Sequence, residues 1–264
     1  MGADIVFVIA LNIIIAIIGT LAYAVRIVGI RTGKVAISFA LFNVLALVSR
    51  TANVFQLPIL TKFVEQSNRT NNDLIIVFNL ILVSIFAASV IGAFLIPTFQ
   101  RLFTKAVLSF SIKKSVFRLI IHSFTKSGIR GIRQNIKFPS KGNVSEINLK
   151  KLPYKILVYN IIIVALLTVG GFAPIYAGNI MPELRATCIT LSSVVNSIAT
   201  ILLTLFVDPY LSILTDEVIE GKYSEADFRG CVVGMVGSRI IGTAVSLAIF
   251  IPASYAIAFV AKII

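Results

Sequence analysis

The sequence predicts an all-α polytopic membrane protein. It has about six transmembrane helices in a single membrane domain, 1–264, and a basic amphipathic helix lying along the cytoplasmic interface. Three observations carry that prediction. Of 264 residues 58% are hydrophobic and only 13% charged, with a mean hydropathy of +0.98, whereas soluble domains carry about 25% charged residues. Apolar stretches long enough to span a bilayer, about 20 residues each, recur six times. The basic residues are also concentrated: 13 of the 24 Lys and Arg lie between Arg101 and Lys155, as expected of a cytoplasmic loop. A soluble enzyme, a secreted disulfide scaffold and a disordered tail are excluded. Cys188 and Cys231 alone make no disulfide framework, and one histidine, His122, makes no metal site.

Taken in order, the first span covers about 4–25. Its apolar run is too long for a signal-peptide core and no positive segment precedes it, so it reads as an uncleaved helix. Arg26, Arg31 and Lys34 follow it. The second span, about 35–60, carries Arg50 among Asn43, Ser49, Thr51 and Asn53. The third, about 74–97, is nearly free of charge. In the basic loop 98–154, the stretch TFQRLFTKAVLSFSIKKSVFRLIIHSF mixes bases with apolar residues at helical spacing, which predicts an interfacial helix on anionic phospholipids. A polar loop broken by Gly128, Gly131, Pro139 and Gly142 follows. The fourth span, about 155–178, is nearly free of charge; the fifth, about 184–208, and the sixth, about 231–260, are marked by polar and small residues. Ser224 with Asp227 predicts a capped start ahead of the sixth.

With both termini outside, 18 bases face the inner side and four the outer, the asymmetry expected when the basic loops face the cytoplasm. The basic excess is thereby a feature of topology, and no nucleic-acid partner is expected. Arg50 and Arg239 fall within spans, which predicts bundle helices rather than lipid-facing ones.

Three constellations stand out. In the fifth span Ser192, Asn196, Thr200, Thr204 and Asp208 recur every four residues, forming one slowly drifting stripe, with Arg185 near its outer end. Such a stripe either packs helices or lines a polar path. In the sixth span Gly230, Gly234, Ser238 and Gly242 recur likewise, which predicts close helix packing against another helix of the chain or a second copy, hence a homodimer. Arg50 lies about 22 Å from the inner end of its span, in the outer half. There it either snorkels to outer headgroups or grips an anionic group with its paired donors.

No metalloprotease, P-loop or nucleophile-elbow motif occurs, so neither catalysis nor a cofactor or metal is expected. Two blocks of the sequence, VRIVGIRTGKVAISFALFNVLALVSRTANVFQLPIL and RATCITLSSVVNSIATILLTLFVDPYLSILTDEVIEGKYSEADFRGCVVGMVGSRIIGT, closely resemble the Amj family. Its members are bacterial inner-membrane lipid II flippases, named as the alternate to MurJ. The resemblance covers most of the chain and is weakest at 61–73 and 126–152. It implies an undecaprenyl-pyrophosphate-linked muropeptide as substrate. Charge and position then suggest capture by Arg26, Arg31 and Lys34, and escort by Arg50, Arg239, Asn53 and the fifth-span stripe, with Arg185 near the exit. The competing readings are a small-solute or ion transporter, a non-transporting assembly factor and a membrane phosphatase.

Overall fold

The computed structural model describes residues 2–66, 71–113 and 152–264. Six helical stretches among them are long and apolar enough to span a membrane. In chain order they comprise α1 (Ala3–Leu21), joined through a single 3-10 turn at Ala22–Ala24 to α2 (Val25–Thr32); α3 (Val35–Gln66); α4 (Asn71–Lys113); α5 (Tyr154–Ile180); α6 (Arg185–Leu202) running into α7 (Asp208–Ile219); and α8 (Glu225–Ile263). Among the described residues, two chain reversals at the basic end use glycine in the left-handed region, Gly33 at φ 62° and Gly221 at φ 74°, a conformation costly for other residues. Ser224 caps α8 as expected, its hydroxyl accepting from the Asp227 N–H at 3.0 Å.

The helices outrun the apolar stretches that announced them. α4 continues to Lys113, so the first part of the expected interfacial helix is instead the final turns of α4. Phe103 and Val107 are buried there against Val25, Val28 and Leu41. The remainder of the basic loop from 114 to 151, including His122, lies outside the described residues. α3 extends to Gln66, which moves Arg50 from the outer half of its helix to the middle. Between α6 and α7 the backbone opens into a π turn at Leu203–Val207. Pro209 explains it: the ring has no N–H to give and would meet the carbonyl four residues back, and a wider turn relieves that contact.

α5 is the centre of the bundle, buried almost continuously from Val169 to Gly178. On one side it receives the small-residue stripe of α8. A side-chain carbon at Gly242 would stand 2.8 Å from the Ile161 carbonyl oxygen, and Gly234 lies against Leu157. Gly230 and Ser238 are buried on the same helix. Asn160 of α5 donates to Ser238 Oγ at 2.7 Å and accepts from the Tyr23 hydroxyl at 2.9 Å, tying three segments at one buried amide. The stripe is therefore covered by α5 of the same chain, and the homodimer expected through it would need another face.

On its other side α5 receives α6. Ser192 donates to the Gly170 carbonyl at 2.7 Å, and Val195 and Asn196 fill the space left by the absent Gly170 side chain. Phe78, Tyr176 and Phe250 meet with ring centroids 5.3–5.7 Å apart, joining α4, α5 and α8. Because α5 and α8 touch backbone to side chain, Gly242→Leu is expected to lower stability by about 1–3 kcal/mol through overpacking. Gly237→Ala, where the added carbon meets nothing within 4 Å, is the control. Thermal unfolding of the detergent-solubilised protein reads both.

Candidate functional site: two polar stripes between ion-paired ends

The six basic residues singled out in the sequence separate into different neighbourhoods. Arg26 is the most enclosed at 9% exposure. From α2 it donates to Ser212 Oγ of α7 at 3.0 Å and pairs with Asp208 Oδ1 at 3.5 Å. Its guanidinium also lies over the Phe39 ring of α3, 4.9 Å from the centroid. One arginine thus joins three helices near the basic end. Burial of a guanidinium is tolerated where its donors find acceptors and its face finds an aromatic ring, and Arg26 has both. Asp208 keeps about half its side chain exposed, so the pair has one buried and one wet partner.

Phe39 marks the foot of a polar stripe. Arg50 is 11 residues further along α3, three turns and about 20° of rotation, or roughly 16 Å of rise. The two therefore share a face, and Asn43 and Asn53 fall within about 40° of it by the same rotation. Asn43, Arg50 and Asn53 are all exposed. The Asn53 amide oxygen is held by Gln56 Nε2 at 2.6 Å, while the Gln56 amide oxygen is buried without a partner. Arg50 makes no hydrogen bond or ion pair among the described residues.

The stripe on α6 divides in two. Ser192 is buried in the α5 contact, and Asn196 donates to Ser192 Oγ at 3.3 Å; this half holds the bundle together. Thr200, Thr204 and Asp208 are exposed, and Thr200 satisfies its own hydroxyl on the Asn196 carbonyl at 2.7 Å. The exposed half ends at Asp208, the partner of Arg26, so the stripes of α3 and α6–α7 converge on one ion pair. At the opposite end Arg185 of α6 approaches Glu65 of α3 at 3.9 Å and donates to the Gly178 carbonyl at 3.2 Å. The ends of α3 are thus linked to α6–α7 directly through Glu65 and Arg185, and by way of Arg26 of α2 through Phe39 and Asp208.

The remaining bases stand elsewhere. Arg239 donates to Thr20 Oγ1 at 3.1 Å and lies flat on Gly19, an α1–α8 contact away from both stripes. Arg31 pairs with Glu225 at 2.8 Å. Lys34 donates to Ser111 Oγ at 2.6 Å, strapping the start of α3 to the end of α4. Sequence reasoning had overlooked Phe39, Glu65 and Ser212. No spacing signal announces them, although Arg26 and Asp208, opposite charges at the inner ends of two spans, are a pair that the topology alone brings to one depth.

Comparison with known proteins agrees with this architecture. The family described as Amj, Alternate to MurJ, matches residues 11–261. A relative from Bacillus subtilis (strain 168), named Lipid II flippase Amj, is 34% identical over 263 residues, covering 98% of this chain and 97% of the relative. No solved structure matches. A family match across nearly the whole chain, with a full-length relative at that identity, shows that this multi-pass membrane protein belongs to the Amj family.

Proposed function

We propose that this chain is a lipid II flippase. It carries the undecaprenyl-pyrophosphate-linked muropeptide from the inner to the outer leaflet of the bacterial cytoplasmic membrane, with both termini outside and the basic end in the cytoplasm. The observation that carries the reading is the pair of exposed polar stripes on α3 and α6–α7, closed below by Arg26–Asp208 and above by Arg185–Glu65. Exposed Arg, Asn and Thr at mid-helix are costly against hydrocarbon. They are inexpensive against a hydrated headgroup. The name of the Bacillus subtilis relative supports the same substrate.

A lipid-linked sugar poses a divided solvation problem. Its pyrophosphate, sugars and peptide need polar partners throughout the crossing, while the polyprenyl tail needs none and stays in lipid. Polar stripes exposed at the surface of α3 and α6–α7 meet both needs, serving the headgroup while the tail stays in lipid. Arg26, lying above the basic end, offers a guanidinium whose weak 3.5 Å tie to Asp208 a pyrophosphate can replace with paired charge-assisted bonds. Arg50, about 16 Å further on the same face, is the next cation. Thr200, Thr204, Asn43 and Asn53 supply hydrogen bonds alongside. Parting of Arg185 from Glu65 frees the outer end. No bond is made or broken in the substrate, so the chain acts as a transporter and not as an enzyme.

The test is reconstitution in liposomes holding lipid II in one known leaflet, with a membrane-impermeant lipid II hydrolase reporting arrival on the other. Transfer above protein-free vesicles is the expected outcome. Its absence, beside a working control flippase, would reject the proposal.

A further inference from the structure

A second feature stands apart from those stripes, behind α2. Arg31 is five residues from Arg26, about 140° around the helix, and turns away from the α3–α7 side. It borders a cavity of about 240 Å³ between α2, α4 and α8, lined by Ile27 and Arg31, by Ala93, Ile96, Pro97 and Gln100, and by Arg229, Val232, Val233 and Val236. The spacing on α4 and that on α8 are the same, i, i+3, i+4, i+7, one continuous face of each helix. Each of the three walls is apolar except at one position, and that position is nearest the basic end in every case: Arg31, Gln100 and Arg229.

The polar mouth is unsatisfied. Arg31 gives its Nε to Glu225 at 2.8 Å while its side chain lines the cavity. Arg229 Nε is buried with no partner among the described residues, although a buried unpaired donor on a cation is among the more expensive features a fold can carry. Two guanidiniums and an amide above an apolar slot match one chemistry: a phosphodiester at the membrane surface with an acyl chain descending from it. We propose that this cavity is a binding site for an anionic phospholipid of the inner leaflet. Its phosphate sits between Arg31 and Arg229, and one chain lies along the Ile96–Val236 wall.

The chain contains no tryptophan, so Val233→Trp, at the exposed rim of the cavity, introduces a single fluorophore. The protein is placed in vesicles of unlabelled phosphatidylcholine containing increasing fractions of chain-brominated phosphatidylglycerol or chain-brominated phosphatidylcholine. Each cation facing an anionic headgroup is worth about fivefold in affinity, so quenching by phosphatidylglycerol is expected at roughly tenfold or more lower mole fraction. Arg31→Gln with Arg229→Gln in the same background is expected to bring the two curves together. Lys222→Gln, an exposed cation away from the cavity, is expected to leave them apart, and far-ultraviolet circular dichroism reports that each variant is folded. Coincident curves for the Val233→Trp protein, or a preference that survives the double substitution, would overturn the proposal. So would relief of quenching by soluble glycerol phosphate, which would mark a headgroup site with no lipid chain. Preferential displacement by lipid II over unlabelled phosphatidylglycerol would assign the cavity to the substrate instead.

Discussion

Arg26→Met is expected to slow lipid II transfer, lowering the initial rate between about tenfold and a hundredfold, the value of one charge-assisted contact to a phosphate. Methionine keeps an apolar stem against Phe39 but removes the charge and both donors. The loss has a structural component as well, because Ser212 and Asp208 each lose a partner. That component is small: Asp208 is half exposed, so water takes over its solvation, and an ion pair so screened contributes little. Asp208→Asn separates the two contributions. It frees Arg26 from its resident carboxylate while leaving the guanidinium in place, so transfer should fall far less than with Arg26→Met, or not at all. Equal loss in both variants, matched by equal loss of thermal stability, would reduce the pair to a strut between α2 and α7. The measurement is the hydrolase-coupled liposome assay run beside thermal unfolding for each variant.

The contrast between Arg26 and Arg31 shows what the sequence exposes and what it hides. Both follow the first apolar run, and charge alone placed them together at the inner surface. In the fold α2 continues through Thr32 as helix, and five residues on a helix separate side chains by about 140°. One arginine enters the α3–α7 junction and the other borders the cavity behind it. Helix phase beyond the end of an apolar stretch is invisible to hydropathy. For the same reason the polar continuations of α3 to Gln66, of α4 to Lys113 and of α6 through Pro209 into α7 went unseen, while the six spans themselves, fixed by bulk apolarity, were legible. The small-residue stripe of α8 was legible as a close-packing face, but its partner was not. Only the course of α5 reveals that Ile161 and Val164, rather than a second copy, occupy it. The α6 stripe posed the harder ambiguity, since hydroxyls serve packing and lining alike. Its upper half is consumed by the Gly170 contact and its lower half is left exposed.

Arg50→Ala is expected to cut transfer by a similar tenfold or more while leaving thermal stability unchanged or slightly raised. The two effects have opposite signs for one reason. Arg50 stands at the middle of α3, 15 residues from Val35 and 16 from Gln66, exposed and without a partner among the described residues. An arginine at the centre of a spanning helix costs about 2.5–3.5 kcal/mol on insertion scales, and nothing in the resting fold offsets that cost. A structural role would call for a partner, as Arg239 has in Thr20. What remains is a cation held ready for an anion that arrives. Arg50→Lys sharpens the point. It keeps the charge but not the planar pair of donors that fits a pyrophosphate, so its rate should lie between those of the wild type and the alanine variant. If Arg50→Ala transferred lipid II at the wild-type rate, the arginine would be an anchor reaching toward headgroups, and the path would have to be drawn along α6 alone. A rate restored fully by lysine would leave the path intact and make charge, not paired hydrogen bonding, the property that the crossing headgroup requires.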